Sequence, residues 1–200
     1  MSSIYVYGAS GHGLVVADMA MANGFVDVNF IDDGDNSFPS FEDIKSNDKI
    51  PIALGIGNNY IRQKLYKKIK EHGFKVVTLI HNSAIISPTC QIGEGTVVMP
   101  NVVINAKSNI GIGVILNSGC IIEHECQVND FAHISPNAAL AGNVTIGAFS
   151  HIGIGTNIIQ GIEIGMNSII GASSNVVRNI SRNRKAYGNP CKEIEKIKLP

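Results

Sequence analysis

The chain lacks the features that mark several large classes of protein. Its 16 Lys and Arg residues balance its 16 Asp and Glu residues, so no net positive charge favours nucleic acid. Its four cysteines suggest neither a disulfide framework nor a zinc site. No apolar run is long enough to span a membrane, and no signal-peptide pattern precedes the first strand-like segment, residues 4–7. We therefore expect a cytoplasmic protein with no membrane insertion and no nucleic-acid partner.

Positive charge is nearly absent from the middle of the chain. Between residues 76 and 177 the only Lys or Arg is Lys107. An exterior with so few charges is expected to be partly buried against other subunits. From residue 178 onward, seven basic residues stand against two acidic ones. This basic tail suits an anionic ligand, and a solvated charged surface is the alternative.

What the middle of the chain does contain is a six-residue repeat, which runs without insertion from residue 85 to residue 180. An α-helix repeats near 3.6 residues and a strand at two, so a period of six predicts a β-helix in which three blocks close one triangular coil. The run corresponds to five coils and a third, stacked about 4.8 Å apart. The second position of every block is an aliphatic residue that we expect to point inward. These residues are Ile86, Ile92, Val98, Ile104, Ile110, Leu116, Ile122, Val128, Ile134, Leu140, Ile146, Ile152, Ile158, Ile164, Ile170 and Val176.

Two other positions of the block also have a preferred residue type. The third is often Gly or Asn, and we expect left-handed backbone there because these residues tolerate it at turns. The sixth is small or β-branched, as expected for an inward position beside a corner, and it includes Cys90, Cys120 and Cys126 as small buried hydrophobes. The third-position residues are Gly93, Asn105, Gly111, Asn117, Asn129, Gly147, Gly153, Gly165 and Gly171.

The first 82 residues follow a different pattern. Apolar segments at residues 4–7, 28–31, 51–56 and 76–80 read as strands, and a helix is predicted between residues 14 and 22. In a second helix, Ile61, Leu65 and Ile69 are expected to mark one buried face. This order predicts a small parallel sheet of Rossmann type, an α/β unit that precedes the all-β repeat.

Polar and glycine residues follow three of these strands. Residues 8–13, Gly-Ala-Ser-Gly-His-Gly, lie at a strand-to-helix turn, where glycines let a phosphate approach backbone N–H groups. Because the carboxyl ends of parallel strands share one edge of the sheet, the three loops predict a nucleotide-sized crevice. Glycines that only make the turn are the alternative, and NAD is disfavoured because the unit is half the size of a full dinucleotide fold. The candidate residues are Ser10, Gly11, His12, Asp32, Asp33, Asn58 and Asn59.

One block of the repeat carries three ionisable residues, Glu123, His124 and Glu125. A histidine flanked by carboxylates can be held in one tautomer and made more basic, as a general base requires, although an exposed histidine with solvated neighbours would look the same. His133 and His151 are 18 residues apart and are therefore expected to stack on one edge. They could shape a ligand channel or, less favourably, bind a metal, although stacked surface histidines more often do neither.

The ordered motifs IYVYGASGHGLV, FIDD, IGNNYIR, TLIHNSAIISP, MPNVVINAK and IEHEC resemble the hexapeptide-repeat sugar O/N-acetyltransferases of the PglD/NeuD-like type. The resemblance covers almost the whole chain and is strongest to the UDP-4-amino-sugar N-acetyltransferases of bacterial bacillosamine pathways. It implies a left-handed coil, a cytoplasmic homotrimer and transfer from acetyl-CoA without a metal. It also implies a division into residues 1–82, which bind the sugar nucleotide, residues 83–180, the β-helix, and residues 181–200, a tail that borders CoA.

Carried over by position, the resemblance makes His124 the catalytic base and Glu125 its partner. It assigns acetyl-CoA binding to His133, Gly142, Gly153, Gly171 and Lys192, with the Gly142 N–H near the thioester. It assigns the sugar nucleotide to the seven crevice candidates named above. Residues 188–192 resemble the family's GNPAK-type end, with Cys191 where Ala is usual.

The chemistry fits this assignment, because the ammonium group of an amino sugar must lose a proton before its nitrogen can attack a thioester. We expect direct transfer to the 4-amino group of a UDP-linked amino-dideoxy sugar. An O-acetyltransferase acting on sialic acid or another sugar is the first alternative. A metal-dependent β-helix enzyme and a non-catalytic scaffold remain further alternatives.

Overall fold

The computed structural model describes residues 2–46 and 48–197. The N-terminal unit contains a three-stranded parallel sheet in the order β2-β1-β3, together with three helices. Its elements are β1 (Ser3–Tyr7), α1 (His12–Ala22), β2 (Asp27–Ile31), α2 (Phe41–Ile44), β3 (Ile52–Leu54) and α3 (Asn59–Glu71).

Local sequence signals account for the helix ends. Helix α1 starts after Gly11 and ends at Ala22, followed by the C-cap Asn23 and by Gly24 with a φ of 85°. Helix α2, which the sequence analysis missed, starts with a capping box in which the Ser40 and Asp43 side chains each accept a hydrogen bond from the other residue's backbone. The side chain of Asn58 caps α3 by accepting from the N–H groups of the second and third residues of the helix.

Two predictions for the N-terminal unit are wrong. The predicted fourth strand reaches the sheet of this unit only through a single parallel bridge between Val76 and Ile52, and residues 79–80 pair instead with the β-helix. The predicted buried face of α3 is also displaced, because Ile61 is exposed and Arg62 is buried with Leu65 and Ile69. Residues 62, 65 and 69 have the usual spacing of one helix face, but the first of these buried residues is a charged arginine.

From Leu79 to Lys196 the chain forms a β-helix of short parallel strands that ends in one antiparallel hairpin, which confirms the predicted fold class. Every predicted block contributes a two-residue strand. The first face consists of β4 (Leu79–Ile80), β7 (Val97–Val98), β10 (Ile115–Leu116), β13 (His133–Ile134), β16 (His151–Ile152), β19 (Ile169–Ile170), β21 (Arg184–Gly188) and β22 (Cys191–Lys196). The second consists of β5 (Ile85–Ile86), β8 (Val103–Ile104), β11 (Ile121–Ile122), β14 (Ala139–Leu140), β17 (Asn157–Ile158) and β20 (Asn175–Val176). The third consists of β6 (Gln91–Ile92), β9 (Asn109–Ile110), β12 (Gln127–Val128), β15 (Thr145–Ile146) and β18 (Glu163–Ile164).

The strands pair between residues 18 apart, such as Ile115 with His133. The second-position aliphatics fill the inside, where those from Val98 to Val176 are at most 2% exposed. At the ends, β4 adds a strand before the predicted repeat, and β21 continues the first face beyond it by pairing with β19. The column therefore begins at Leu79, ahead of the expected boundary at residue 83.

The role predicted for the third-position glycines is wrong. Left-handed backbone occurs at the fifth position of the blocks, for example at Gly95, Lys107 and Phe131. A Cβ at Gly147 or Gly165 would instead lie 2.3 Å from a backbone nitrogen of the next coil. The third-position glycines thus permit the close approach of successive coils rather than a special φ value.

Candidate functional site

The carboxyl ends of the three N-terminal strands lie together, as parallel pairing requires. The loop after β1 meets the loop after β2 where the Ala9 N–H donates to Asp32 at 2.8 Å. The loop after β3 lies equally close, because a Cβ at Gly8 would be 2.7 Å from the Gly55 carbonyl oxygen. The polar loop residues 10–13, 32–33 and 57–59 therefore lie at one edge of the sheet, where the crevice was predicted, and Ser10, Gly11 and Asp33 are exposed.

The two aspartates in this crevice have different partners. Asp32 accepts from the backbone of Ala9 and Gly34, and these bonds outweigh the effect of burial, so that its pKa is lowered. Asp33 accepts from the Tyr7 hydroxyl at 2.5 Å and from Lys68 at 2.9 Å; its pKa is lowered because these bonds likewise outweigh burial. Asp32 is the carboxylate with fewer side-chain partners, and its position after β2 suits a ribose hydroxyl.

The two asparagines after β3 both have structural roles. Asn58 caps α3. Asn59 is 8% exposed and donates to the Phe149 carbonyl at 2.8 Å, across to the β-helix. A cavity of about 250 Å³ lies beside them, between the start of α3 and the first face, and Tyr60 and His151 line it with Phe149.

On the β-helix, the predicted dyad lies at the corner where the second face turns into the third. His124 Nδ1 is 3.1 Å from a carboxylate oxygen of Glu125. A Cβ on Gly142, one coil further on, would be 2.6 Å from His124 Nε2, so the imidazole lies directly on this glycine. The His124 side chain is 59% exposed. If Nδ1 donates to Glu125, Nε2 is left to accept a proton beside a backbone that carries no side chain.

His133 and His151 stack on the first face, as their spacing predicts, with ring centroids 4.5 Å apart. His12 joins them from the crevice loop, 6.4 Å from His133. The Asn117 amide nitrogen lies 3.3 Å from His133 Nε2, which assigns the ring hydrogen to Nδ1. Among the described residues, neither His133 Nδ1 nor His12 Nε2 has a hydrogen-bond partner, although both atoms are buried.

These three histidines are held neutral. Burial, helped by the positive charge of Arg62, lowers the pKa of His12 to about 4 and also lowers that of His151. Burial lowers the pKa of His133 to about 3, with smaller contributions from neighbouring cationic groups. At neutral pH the cluster therefore offers uncharged hydrogen-bonding nitrogens at the junction of the two parts of the chain.

Within one chain, the two halves of the predicted acetyl-transfer site do not meet. His124, Glu125 and Gly142 lie on the corner between the second and third faces, whereas His133 lies on the first face. In a triangular coil that corner is opposite the first face. Gly153 and Gly171, the other predicted CoA glycines, follow strands of the first face and so lie on the side of His133.

The C-terminal tail continues this first face. Lys192 is exposed and pairs with Tyr187 across the β21–β22 hairpin. Cys191 points inward, is 6% exposed and packs in the column core. Burial raises the pKa of its thiol, which behaves as a small apolar group.

The sequence analysis missed the residues that dock the N-terminal unit. We call the turns at Gly113, Phe131, Phe149 and Asn167, where the third face becomes the first, the docking corner. Tyr60 of α3 stacks on Phe149 at 4.8 Å between ring centroids, and its hydroxyl donates to Asn167 at 2.6 Å. The Phe residues at fifth positions could have indicated this corner, because a bulky residue with positive φ must be held by its surroundings.

Neither a membrane-spanning helix nor a metal-binding cluster occurs among the described residues. None of their helices is long and apolar enough to cross a membrane. They contain no group of three His, Cys, Asp or Glu side chains placed to hold a metal ion.

Both parts of the chain are similar to known proteins. Residues 3–69 match the model of the PglD N-terminal domain. UDP-N-acetylbacillosamine N-acetyltransferase of Bacillus subtilis (strain 168) is 35% identical over 114 residues, which cover 50% of this chain and 52% of that protein. The aligned segment thus spans about half the length of this curated relative.

Solved structures match the whole chain. A GDP-perosamine N-acetyltransferase from Caulobacter crescentus, solved with CoA and GDP-perosamine as a variant in which one histidine is replaced by alanine, is 32% identical. It superposes with a TM-score of 0.93 over 98% of both chains. The acetyltransferase domain of PglB from Neisseria gonorrhoeae FA1090, solved with acetyl coenzyme A, is 37% identical with a TM-score of 0.91, over 96% of this chain and 98% of that one.

The fold and these matches define the class as acyltransferases with a left-handed β-helix, whose cosubstrate is acetyl-CoA. Within that class, the chain belongs to the family of PglD-like sugar N-acetyltransferases. The resemblance inferred from the motifs is thereby confirmed.

Proposed function

We propose that the protein transfers the acetyl group of acetyl-CoA to the 4-amino group of a UDP-linked amino-dideoxy sugar, with His124 as general base. The observation that carries this proposal is the His124 dyad. The imidazole contacts Glu125 through Nδ1, lies on the bare backbone of Gly142 and belongs to an exposed side chain.

His124 supplies the proton acceptor that the reaction needs. An amine attacks the thioester carbonyl only after its ammonium form has lost a proton, and His124 Nε2 accepts that proton directly or through a water. The carboxylate of Glu125 keeps the hydrogen on Nδ1 and stabilises the imidazolium that forms. The nitrogen–carbon bond forms, the carbon–sulfur bond breaks, and the departing CoA thiolate takes up the second proton that the nitrogen loses as the amide forms, so no enzyme nucleophile is required.

The tetrahedral oxyanion needs a hydrogen-bond donor near the dyad. The backbone N–H of Gly142 is the candidate, because the absence of a side chain leaves this backbone accessible beneath the imidazole. On the donor side, we assign His133 to the acetyl donor; its buried Nδ1 has no hydrogen-bond partner among the described residues.

A homotrimer brings these halves together. His124 and His133 lie on opposite sides of the triangular column of one chain, so a site that uses both must form between neighbouring columns. The second face supports this arrangement, because Ile85, Ile121 and Ile159 are exposed on it and at its edge. CoA then runs along the column between subunits, past Gly153 and Gly171 to Lys192.

The crevice of the N-terminal unit holds the sugar nucleotide. Its Ser10–Gly11–His12 turn offers backbone N–H groups at the start of α1 to the diphosphate, and Asp32 is available to the ribose. We propose UDP because the Bacillus subtilis relative is named for a UDP sugar. GDP is the competing nucleotide, because the Caulobacter crescentus relative was solved with GDP-perosamine.

Steady-state kinetics with acetyl-CoA test the base. His124→Ala is expected to lower kcat about 10²–10⁴-fold while CoA binding by calorimetry is unchanged. His72→Asn, at an exposed histidine on the C-terminal cap of α3, is the matched control and should keep the kcat of the wild type. A His124→Ala protein with near-normal kcat would remove His124 from this role.

The acceptor is tested with a panel of UDP- and GDP-linked 4-amino sugars and free sialic acids. A preference for a UDP-4-amino sugar is expected, and mass spectrometry should locate the acetyl group on nitrogen. Turnover of a GDP sugar instead would correct the nucleotide, and turnover of sialic acid alone would replace N- by O-acetylation.

Subunit mixing tests the shared site. His124→Ala and His133→Ala chains are each expected to be nearly inactive, but trimers reassembled from equal amounts of both should regain wild-type geometry in about a quarter of their sites. Mixtures no more active than the separate variants would place both histidines in one chain's site or remove one from it.

A further inference from the structure

We infer that Arg62 is a positioning residue that fixes the nucleotide crevice against the histidine-bearing face of the β-helix. The inference rests on the proposed function, because it concerns the distance between the two substrates. Arg62 lies in α3 and is only 1% exposed. Its guanidinium group spans the junction between the N-terminal unit and the column.

On the crevice side, Arg62 holds the loop that follows β3. Its Nη1 donates to the carbonyl oxygens of Ile56 at 3.1 Å and Gly57 at 3.0 Å. Its Nη2 donates to Asn59 Oδ1 at 2.8 Å. These bonds fix the turn between the end of β3 and the cap of α3, where the third wall of the crevice is formed.

On the column side, the same group binds the docking corner. Arg62 Nε donates to the Gly113 carbonyl at 2.7 Å, and Nη2 donates to the carbonyls of Phe131 at 2.9 Å and Ala132 at 3.3 Å. Ala132 directly precedes His133. One planar group therefore connects the crevice loop with two successive coils, and with the strand that carries the acetyl-side histidine.

Stability alone does not account for a guanidinium at this position. All its acceptors are neutral, and no carboxylate is within ion-pair distance of it among the described residues. A buried cation carries a large desolvation cost, and apolar side chains of similar volume often replace buried charges without loss of stability. What an apolar residue cannot reproduce is a rigid fork of five N–H donors directed at fixed points in both units.

The geometry predicts how catalysis depends on this fork. The hydrogen-bonded ladders of the coils hold His133 independently of α3. The crevice loop has no such ladder: Arg62 bonds the carbonyls of Ile56 and Gly57, and its other ties are the Asn58 cap and the Asn59 bond to Phe149. Loosening Arg62 should therefore displace the sugar nucleotide relative to the acetyl donor, and a displacement of 1 Å can cost about 10²-fold in rate.

The test compares Arg62→Lys and Arg62→Met with two controls. Lys64→Met changes an exposed cation on the same helix, and Ile146→Val removes one methyl group from the buried core of the column. For both Arg62 variants we expect kcat/KM for the sugar nucleotide to fall about 10–100-fold, whereas KM for acetyl-CoA stays within about twofold. Hydrogen exchange should accelerate in residues 56–59 and remain slow in residues 133–134. Both controls should keep wild-type kinetics.

Arg62→Lys keeps the charge and can still reach some of the carbonyls, so it covers the case in which Arg62→Met does not fold. If Arg62→Lys lowers the melting temperature as Ile146→Val does and leaves both kinetic constants unchanged, Arg62 only stabilises the junction and the inference is wrong. Wild-type protein without acetyl transfer to any amino sugar would instead remove the proposed function. In that case, hydrogen exchange in the Arg62 variants would decide the positioning role. Faster exchange confined to residues 56–59 would support it, and unchanged exchange in these residues would overturn it.

Discussion

Acidification from pH 7 to pH 5 is expected to destabilise the protein through the histidines at the junction. In the folded chain, the pKa of His12 is about 4 and that of His133 about 3, whereas histidine in an unfolded chain titrates near 6.5. The unfolded state therefore binds more protons than the folded state below pH 6.5. Stability is fully present above that value and falls as the pH drops towards the folded pKa values.

The size of the effect follows from the two pKa values. At pH 5 each histidine is almost fully protonated when unfolded and neutral when folded, so each lowers the free energy of unfolding by up to about 2 kcal/mol relative to pH 7. His151 acts in the same direction. The positive charge of Arg62 opposes protonation of His133, and His12 and His151 would oppose it once protonated, so the cluster cannot relieve the loss by pairing.

Urea unfolding at pH 7 and pH 5, at one fixed protein concentration, measures this dependence. His12→Asn and His133→Asn should each remove part of the difference in unfolding free energy between the two pH values, and the double variant should remove most of it. His72→Asn, on the exposed end of α3, is the control and should leave the difference unchanged. If the double variant kept the full pH dependence of the wild type, the buried histidines would not be its source.

Three further substitutions have defined outcomes. Gly142→Ala should displace the His124 ring, because the new Cβ would lie 2.6 Å from Nε2, and kcat should fall while the melting temperature changes little; an unchanged kcat would contradict the close packing of this pair. Leu140→Ala removes a fully buried side chain from the column and should cost about 2–5 kcal/mol in urea unfolding, with a cost below 1 kcal/mol as the contrary result. Ser40→Ala removes one half of the capping box with Asp43 and should cost about 1 kcal/mol, and equal stability would mean that this short helix end is held by packing alone.

The column could be predicted from the sequence because its signal is redundant. Sixteen aliphatics at one spacing leave a single geometry, and the stacking of His133 on His151 follows from the same period. The prediction was wrong where one residue type serves two structural purposes. Glycine marks both unusual φ values and close backbone contact, and the frequent glycines at the third position serve the second purpose.

The junction between the two parts could not be predicted in the same way. The hydrophobic periodicity of α3 predicts that Ile61 lies on its buried face. The docking corner instead presents carbonyl oxygens, and these accept hydrogen bonds from the buried Arg62. Residues 79–80 have the composition of any buried strand, so the sequence does not show which sheet they join. The convergence of the crevice loops was predictable from parallel strand order, whereas the approach of His12 to His133 depends on docking and was not.

The eighteen-residue period of the coil has a consequence for insertions. A whole coil added beyond Gly171 would lengthen the column and leave the His124 corner, the docking corner and the first face in their present relation. A single six-residue block added between residues 126 and 133 would instead rotate everything after it by one face, about 120°, and carry His133 away from Arg62. Length variation in this column is therefore tolerated in units of three blocks past the docking corner, while the coils between His124 and His151 must keep their number.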